Sequence, residues 1–274
     1  MTATGLTPPP TADGPLAGMR VLVPRPSVGQ SPAAVALSAV GARAWSVPLV
    51  ETIPAEDPTD LDDTLLALGA GWYQWLAVTS AAVVPVLVER AADHVGSPFA
   101  QTLAEGNVRV AAVGPGSRRA LQAVGVDADL VPVGQASART LLAAWPAGTG
   151  RVLHPRGDLA APTLADGLRA RGWEVDDLVA YRTVSAGPPP QELLDAWEAG
   201  EVDAVLLTSA SATRALVERF GVPRPPMLVV AIGPSTAAEA ERLGVELAGT
   251  ATEQTMTGLV DALVTAARHR KVPG

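Results

Sequence analysis

Cysteine is absent from the 274 residues. That excludes disulfides, thiolate metal sites, iron–sulfur clusters and a thiol nucleophile together. Histidine occurs three times, as His94, His154 and His269, too scattered for metal-ligand spacing, so no metal site is expected. Aromatic residues are scarce at 4%, and Tyr73 and Tyr181 are the two tyrosines. Lysine occurs once, as Lys271, a bias of composition that carries no functional reading. An excess of positive charge is also missing: 28 acidic residues face 20 basic ones, for a net charge of −8. Phosphate backbones demand a basic face, so a nucleic-acid partner is not expected. No apolar run approaches the roughly 20 residues of a membrane helix, so no membrane partner is expected either. Residues 1–18 lack the cationic start and apolar stretch of a signal peptide, and the expected location is the cytoplasm. With 48% apolar residues the chain can build cores, and its length suits two domains or one large α/β domain.

The chain repeats itself. Residues 76–91 (LAVTSAAVVPVLVERA) match 205–220 (VLLTSASATRALVERF) at 7 of 16 positions. Residues 108–126 match 227–245 at 6 of 19, and residues 20–52 match 151–183 at 10 of 33. The offsets are 129, 119 and 131 residues. A period so long is that of a duplicated domain, not of a solenoid.

Each copy alternates near-continuous apolar runs (Val21-Leu-Val, Trp75-Leu-Ala-Val, Val110-Ala-Ala-Val, Ala204-Val-Leu-Leu, Leu228-Val-Val-Ala-Ile) with helical patterns over 31–41, 81–92, 116–124, 160–171, 209–219 and 235–243. Runs of that kind fit strands buried on both faces, and the alternation predicts α/β architecture with doubly wound parallel sheets. The aligned segments 48–54 and 179–185 both read as extended, a natural double crossover. The expectation is a discontinuous domain 1 (19–48 plus 186–268), a domain 2 (53–180), hinge strands at 49–52 and 181–185, and flexible tails at 1–18 and 269–274. Two sequential domains cut near 150 are the alternative.

In doubly wound sheets ligands bind beyond the carboxyl ends of the strands, where helix N-termini point. Four duplicated loops occupy such places: Thr79-Ser80, Thr208-Ser209, Gly114-Pro-Gly-Ser117 and Gly233-Pro-Ser235-Thr236. Serine and threonine there cap the helix and leave backbone N–H groups for an anion. For one loop alone, capping is sufficient explanation; four equivalent loops favour an anion site with several contacts. Arg25 and Arg156, in the repeated Pro-Arg after strand one, are candidates to add charge at its rim. Nucleotide motifs fail: Gly114-Pro115-Gly116 lacks the third glycine of a dinucleotide fingerprint, and no Gly-Lys-Ser/Thr exists. A Gly-x-Ser-x-Gly elbow is missing too. Tyr73, among tryptophans at a strand start, reads as packing, whereas Tyr181 lies at the proposed crossover.

The ordered series V-L-V-P-R, L-A-V-T-S, V-A-A-V-G-P-G-S, L-H-P-R-G-D, V-A-Y-R-T, V-L-L-T-S-A-S-A and V-A-I-G-P-S-T-A resembles the uroporphyrinogen-III synthase family, from about Gly18 to Ala267. The resemblance implies two similar doubly wound, flavodoxin-like lobes joined by a two-stranded β linker. It also implies cyclisation of hydroxymethylbilane to uroporphyrinogen III, with inversion of the last pyrrole ring, loss of water and no cofactor. Tyr181 stands at the family's tyrosine, thought to assist departure of the hydroxyl. Ser117 and Thr236 stand at hydroxyl positions implicated in substrate contact, and Thr79, Ser80 and Ser209 lie in loops lining the same cleft. One departure is Ala82, where some relatives carry an arginine. The rival readings are a non-catalytic bilobal anion-binding or sensor module, which needs the same loops but not Tyr181, and a flavin-carrying electron-transfer protein. Nothing signals a coiled coil, so a monomer is the expected state.

Overall fold

The computed structural model describes residues 14–25 and 31–271; of the expected tails, 1–13 and 272–274 lie outside the described residues. The chain opens with β1 (Arg20–Val23), α1 (Pro32–Ala39), β2 (Arg43–Ser46) and β3 (Val50–Pro54), followed by α2 (Thr59–Gly69), β4 (Trp75–Val78) and α3 (Val83–Arg90), which runs into a π-helical turn (Ala91–Val95). Next come α4 (Phe99–Glu105), β5 (Arg109–Ala112), α5 (Pro115–Gln122), α6 (Ala138–Ala144), β6 (Gly150–Gly157), α7 (Thr163–Arg169) and the long β7 (Trp173–Ser185). The chain closes with α8 (Gln191–Glu198), β8 (Ala204–Leu207), α9 (Ala210–Phe220), β9 (Leu228–Ala231), α10 (Pro234–Arg242), β10 (Gly249–Thr250) and α11 (Met256–Lys271). Each helical pattern of the repeat has a helix, and the apolar runs are strands. Gly41 and its repeat equivalent Gly172 take positive φ (87° and 89°) just past α1 and α7, where a helix ends most easily on a residue without Cβ.

Two compact units result. Unit 1 comprises Met1–Glu51 with Ser185–Gly274, and unit 2 comprises Thr52–Val184. The chain passes between them inside β3 and again inside β7. One sheet has the order β10-β9-β8-β1-β2 and the other β3-β7-β6-β4-β5. The pairings β1–β2, β1–β8, β8–β9 and β9–β10 are parallel, as are β4–β5, β4–β6 and β6–β7. The repeat makes β6 the counterpart of β1, β7 of β2, β4 of β8 and β5 of β9. Unit 1 then reads β2-β1-β8-β9-β10, and unit 2 reads β7-β6-β4-β5, with a single Ala111–Leu130 bridge in place of the last strand. Both have the 2-1-3-4-5 order of one doubly wound fold; unit 2 enters it at a different strand.

Each sheet is covered on both faces, as near-continuous apolar strands require. In unit 1 Val21, Val23, Ala204 and Leu206 pack toward α1 and α11, while Leu22, Val205 and Leu207 pack with Leu193 of α8 and Leu216 of α9. In unit 2 Trp75, Ala77 and Val152 pack toward Leu141 of α6 and Leu164 of α7, while Leu76, Val78 and Leu153 pack with Leu65 of α2 and Leu87 of α3. Leu16 is fully buried in the unit 1 core, because its apolar side chain gives the leader an anchor before residue 19. At the other end α11 continues through residue 271, past the expected limit of 268.

Candidate active site

All four duplicated loops leave the carboxyl end of a strand and enter a helix, but they do so differently. Ser209 is a true N-cap: its Oγ accepts from the Ala212 N–H at 3.1 Å. At α5 and α10 the N-cap is Gly114 and Gly233, with proline at the first helical position and no side-chain cap. Ser117 and Thr236 sit inside the first turn, 4% and 2% exposed. Capping by those two hydroxyls is therefore corrected: proline, with its preset φ and missing N–H, claims the first position and pushes the hydroxyls inward. First-turn amides have no intrahelical acceptor, so two uncapped N-termini present donors and the positive end of a helix dipole. Close approach explains both glycines. A Cβ on Gly114 would meet Ala136 Cβ at 2.4 Å, and one on Gly233 would meet Gln254 Nε2 at 2.8 Å. Ser235 is exposed at the mouth of the α10 loop.

Tyr181 owes its position to a bulge. Along β7, Trp173 and Val175 face the α6–α7 layer, whereas Leu178 and Ala180 face the α2–α3 layer. Strict alternation would return residue 181 to the first layer. The β6–β7 register shifts between Arg156 and Gly157, pairing Arg156 with Val179 but Gly157 with Tyr181. One extra residue reverses the face, a common use of bulges beside functional sites. The ring thus enters the α2–α3 layer, 8% exposed, and its hydroxyl donates to Ser80 Oγ at 3.0 Å. Ser80 Oγ also accepts from the Ala82 N–H at 3.2 Å, so the turn before α3 is tied to the phenol. Gly157 is the seat of the ring: a Cβ there would lie 2.7 Å from Tyr181 Cε2 and Cζ. Asp158 completes the corner, its N–H donating to Tyr181 O at 3.1 Å and its Oδ1 accepting from Thr183 N–H at 3.0 Å. Burial pushes the phenol's pKa above its ordinary value; the Ser80 hydrogen bond opposes this and the Asp158 charge adds to it. Tyr181 is therefore a protonated donor at neutral pH.

On the opposite face of the same sheet lies a buried polar chain that sequence reasoning missed. His154, 1% exposed, stands opposite Asp177 in the β6–β7 register. Its Nδ1 is 2.9 Å from Asp177 Oδ1, without the linear geometry of a hydrogen bond, and its Nε2 is 3.1 Å from Thr79 Oγ1. Arg156 Nε donates to the same Asp177 oxygen at 2.9 Å and Nη1 donates to Gly157 O at 3.1 Å. Burial by itself raises the Asp177 carboxyl, but the polar contacts with His154 and Arg156 and their charges outweigh it, bringing the pKa down to about 2. The expectation for Arg156 changes accordingly. Its guanidinium is 18% exposed and spent on Asp177, because a buried carboxylate demands a partner more strongly than a rim does. Arg25, by contrast, is exposed, its Nη1 3.7 Å from Met256 Sδ. Tyr73 is buried and its hydroxyl donates to Asp176 Oδ2 at 2.6 Å, the packing role expected of it.

In unit 1 the Thr208-Ser209 turn is half-buried, with Ser209 Oγ also 3.1 Å from Ser211 Oγ. Position for position in the repeat, Thr79 and Ser80 of unit 2 correspond to Thr208 and Ser209. Among the described residues no group of three or more histidine or acidic side chains is placed to hold a metal ion, and no helix is long and apolar enough to cross a membrane.

The family model described as "Uroporphyrinogen-III synthase HemD" matches residues 31–261. A uroporphyrinogen-III synthase of Synechococcus elongatus is 26% identical over 269 residues, covering 94% of this chain and 99% of the relative. Among solved structures, a mutant uroporphyrinogen III synthase from Thermus thermophilus superposes with a TM-score of 0.62 at 22% identity, over 92% of this chain and 100% of that one. A uroporphyrinogen-III synthetase from Helicobacter pylori gives 0.58 at 14% identity, over 90% and 99%. At those identities the two structures speak for the fold.

Proposed function

The chain belongs to the uroporphyrinogen-III synthase family, and from that premise we propose that it closes hydroxymethylbilane to uroporphyrinogen III, inverting ring D and releasing water. The observation that carries the reading is Tyr181: a bulge aims a protonated phenol at the Thr79-Ser80 turn, beyond the carboxyl ends of the strands. In this role the Tyr181 O–H exchanges Ser80 Oγ for the departing hydroxyl of the bilane and donates its hydrogen bond there. The carbon it leaves becomes an electrophilic azafulvene, which meets the substituted carbon of ring D to form a spiro intermediate. Unassisted closure joins the free end directly and yields the symmetric isomer, so the product is decided by geometry. Holding a flexible chain in one reactive fold contributes up to several kcal/mol.

The substrate carries eight carboxylates, which gives the donor-rich loops a purpose. Unit 2 offers the carboxylates the amides at Gly114 and Ser117, the backbone of the Thr79-Ser80 turn and the Ser80 hydroxyl; unit 1 offers the amides at Gly233, Ser235 and Thr236, the hydroxyls of Thr208 and Ser209 and the outward charge of Arg25. Arg156 serves that site through Asp177. The net charge of −8 opposes a polyanion at long range, but screening over about 8–10 Å leaves the local donors in control. The enzyme works without cofactor, as a cytoplasmic monomer, on a small molecule and with neither nucleic acid nor membrane. The test is direct: the purified protein is given hydroxymethylbilane and the oxidised porphyrin isomers are separated. Isomer III is expected in excess; isomer I alone, at the spontaneous rate, sinks the reading.

A further inference from the structure

The Thr79-Ser80 turn is held from both faces of the unit 2 sheet. Ser80 receives the phenol on the α2–α3 side, and Thr79 meets His154 on the α6–α7 side. We propose that His154 is a positioning residue for the reaction: it fixes Thr79, and so sets the turn that places Ser80 against Tyr181. This rests on the synthase reading and goes beyond it. His154 is too buried to touch a substrate.

The chemistry of the chain gives the ring one arrangement. Nδ1 faces the Asp177 carboxylate at 2.9 Å and Nε2 lies 3.1 Å from Thr79 Oγ1, so the ring spans the distance from the carboxylate to the turn. Arg156 holds the Asp177 carboxylate on the same oxygen, which fixes the ring's far end. The polar chain is anchored on two adjacent strands in register, with Arg156 bonded to Asp177 and His154 packed between that carboxylate and Thr79. Thr79 is the first residue beyond β4, so its hydroxyl is where the chain reaches the loop. The twin unit supplies the contrast: Val23 stands at the position of His154 and Ser46 at that of Asp177, and among the described residues the Thr208-Ser209 turn has no such brace.

The experiment is a double-mutant cycle on kcat and KM for isomer III formation, with Tm measured alongside. H154N keeps an amide near Asp177 but withdraws the Nε2 partner from Thr79; T79V removes the other partner; H154Q restores an amide near the place of Nε2. Expected are losses of about tenfold in kcat for H154N and for T79V, with KM little changed. The double variant should be no worse than either single one, because the two substitutions remove one interaction, and H154Q should recover most of kcat. Losses that multiply, or a kcat left intact in H154N while Tm falls, overturn the proposal. Should H154N fail to fold, T79V carries the test, and T79V with wild-type kcat overturns it. Wild-type protein that makes no isomer III in the same assay defeats the synthase reading instead.

Discussion

At one register position of twin sheets, unit 2 sets His154 opposite Asp177, and unit 1 sets Val23 opposite Ser46. The surroundings match: the same strand order, the same covering layers, the same Thr-Ser turn one strand over. Yet in unit 2 the position begins a polar chain that reaches the turn, and in unit 1 it is filled by a core valine and a serine whose Oγ is buried without a partner. The two units also part at the end of the neighbouring strand. In the repeat Tyr181 corresponds to Val50, and β7 carries the bulge that turns its side chain to the other layer. Duplication supplied two donor-bearing loops to each unit; the asymmetric pieces gather in unit 2. The difference teaches where chemistry and where binding should be sought, and each of the following substitutions strains it.

The largest effect is expected at the phenol. Tyr181→Phe keeps the ring in its seat and removes the donor, and kcat for isomer III should fall about a hundredfold. Val50→Ala, at the matching place of unit 1, should leave kcat at the wild-type level. Equal losses in the two variants would erase the division between the units.

Gly157→Ala probes the bulge without touching the hydroxyl. A methyl 2.7 Å from the Tyr181 ring forces ring or strand to shift, with a destabilisation of about 1–3 kcal/mol, as overpacking typically gives. Because the hydroxyl moves away from Ser80, kcat should fall about tenfold. Urea unfolding and kcat on the same preparation read both. A variant with wild-type kcat would mean that the phenol's placement does not matter.

These two predictions also mark how far the sequence could be read. Helix starts, strand identity and the four loops were legible because each signal is local (Gly-Pro before a helix, a short apolar run, Thr-Ser after a strand) and occurs twice. The bulge was not, since Val-Ala-Tyr-Arg-Thr alternates no differently from an unbulged strand. Nor was the His154–Asp177 pair. Its members are joined only through the register of two parallel strands with α7 between them, and a slip of one residue would turn Asp177 to the other face. Ser117 and Thr236 lie three residues past their N-caps because the proline after Gly114 and Gly233 sets the helix start.

Acid should separate the units next. The Asp177 carboxyl, at about 2, lies below its ordinary value, so its pairing stabilises the folded state above the unfolded pKa, about 3.9, and that contribution is lost as pH falls toward 2. The gap in Tm between wild type and Asp177→Asn should therefore narrow from about pH 4 downward. A gap independent of pH would mean that the carboxylate is not held ionised by His154 and Arg156.

The smallest effect is expected at the matching place of unit 1. Ser46 Oγ is buried with no partner, and a hydroxyl in that state has lost its water without gaining a hydrogen bond. Ser46→Ala removes the unmet group and a single oxygen's volume, so stability should stay level or rise by up to about 1 kcal/mol, read as the urea midpoint at unchanged m-value. Activity should not move. A loss of stability there, comparable with that of Asp177→Asn, would mean that Ser46 holds its own strand end together as Asp177 does, and the polar chain would cease to distinguish unit 2 from its twin.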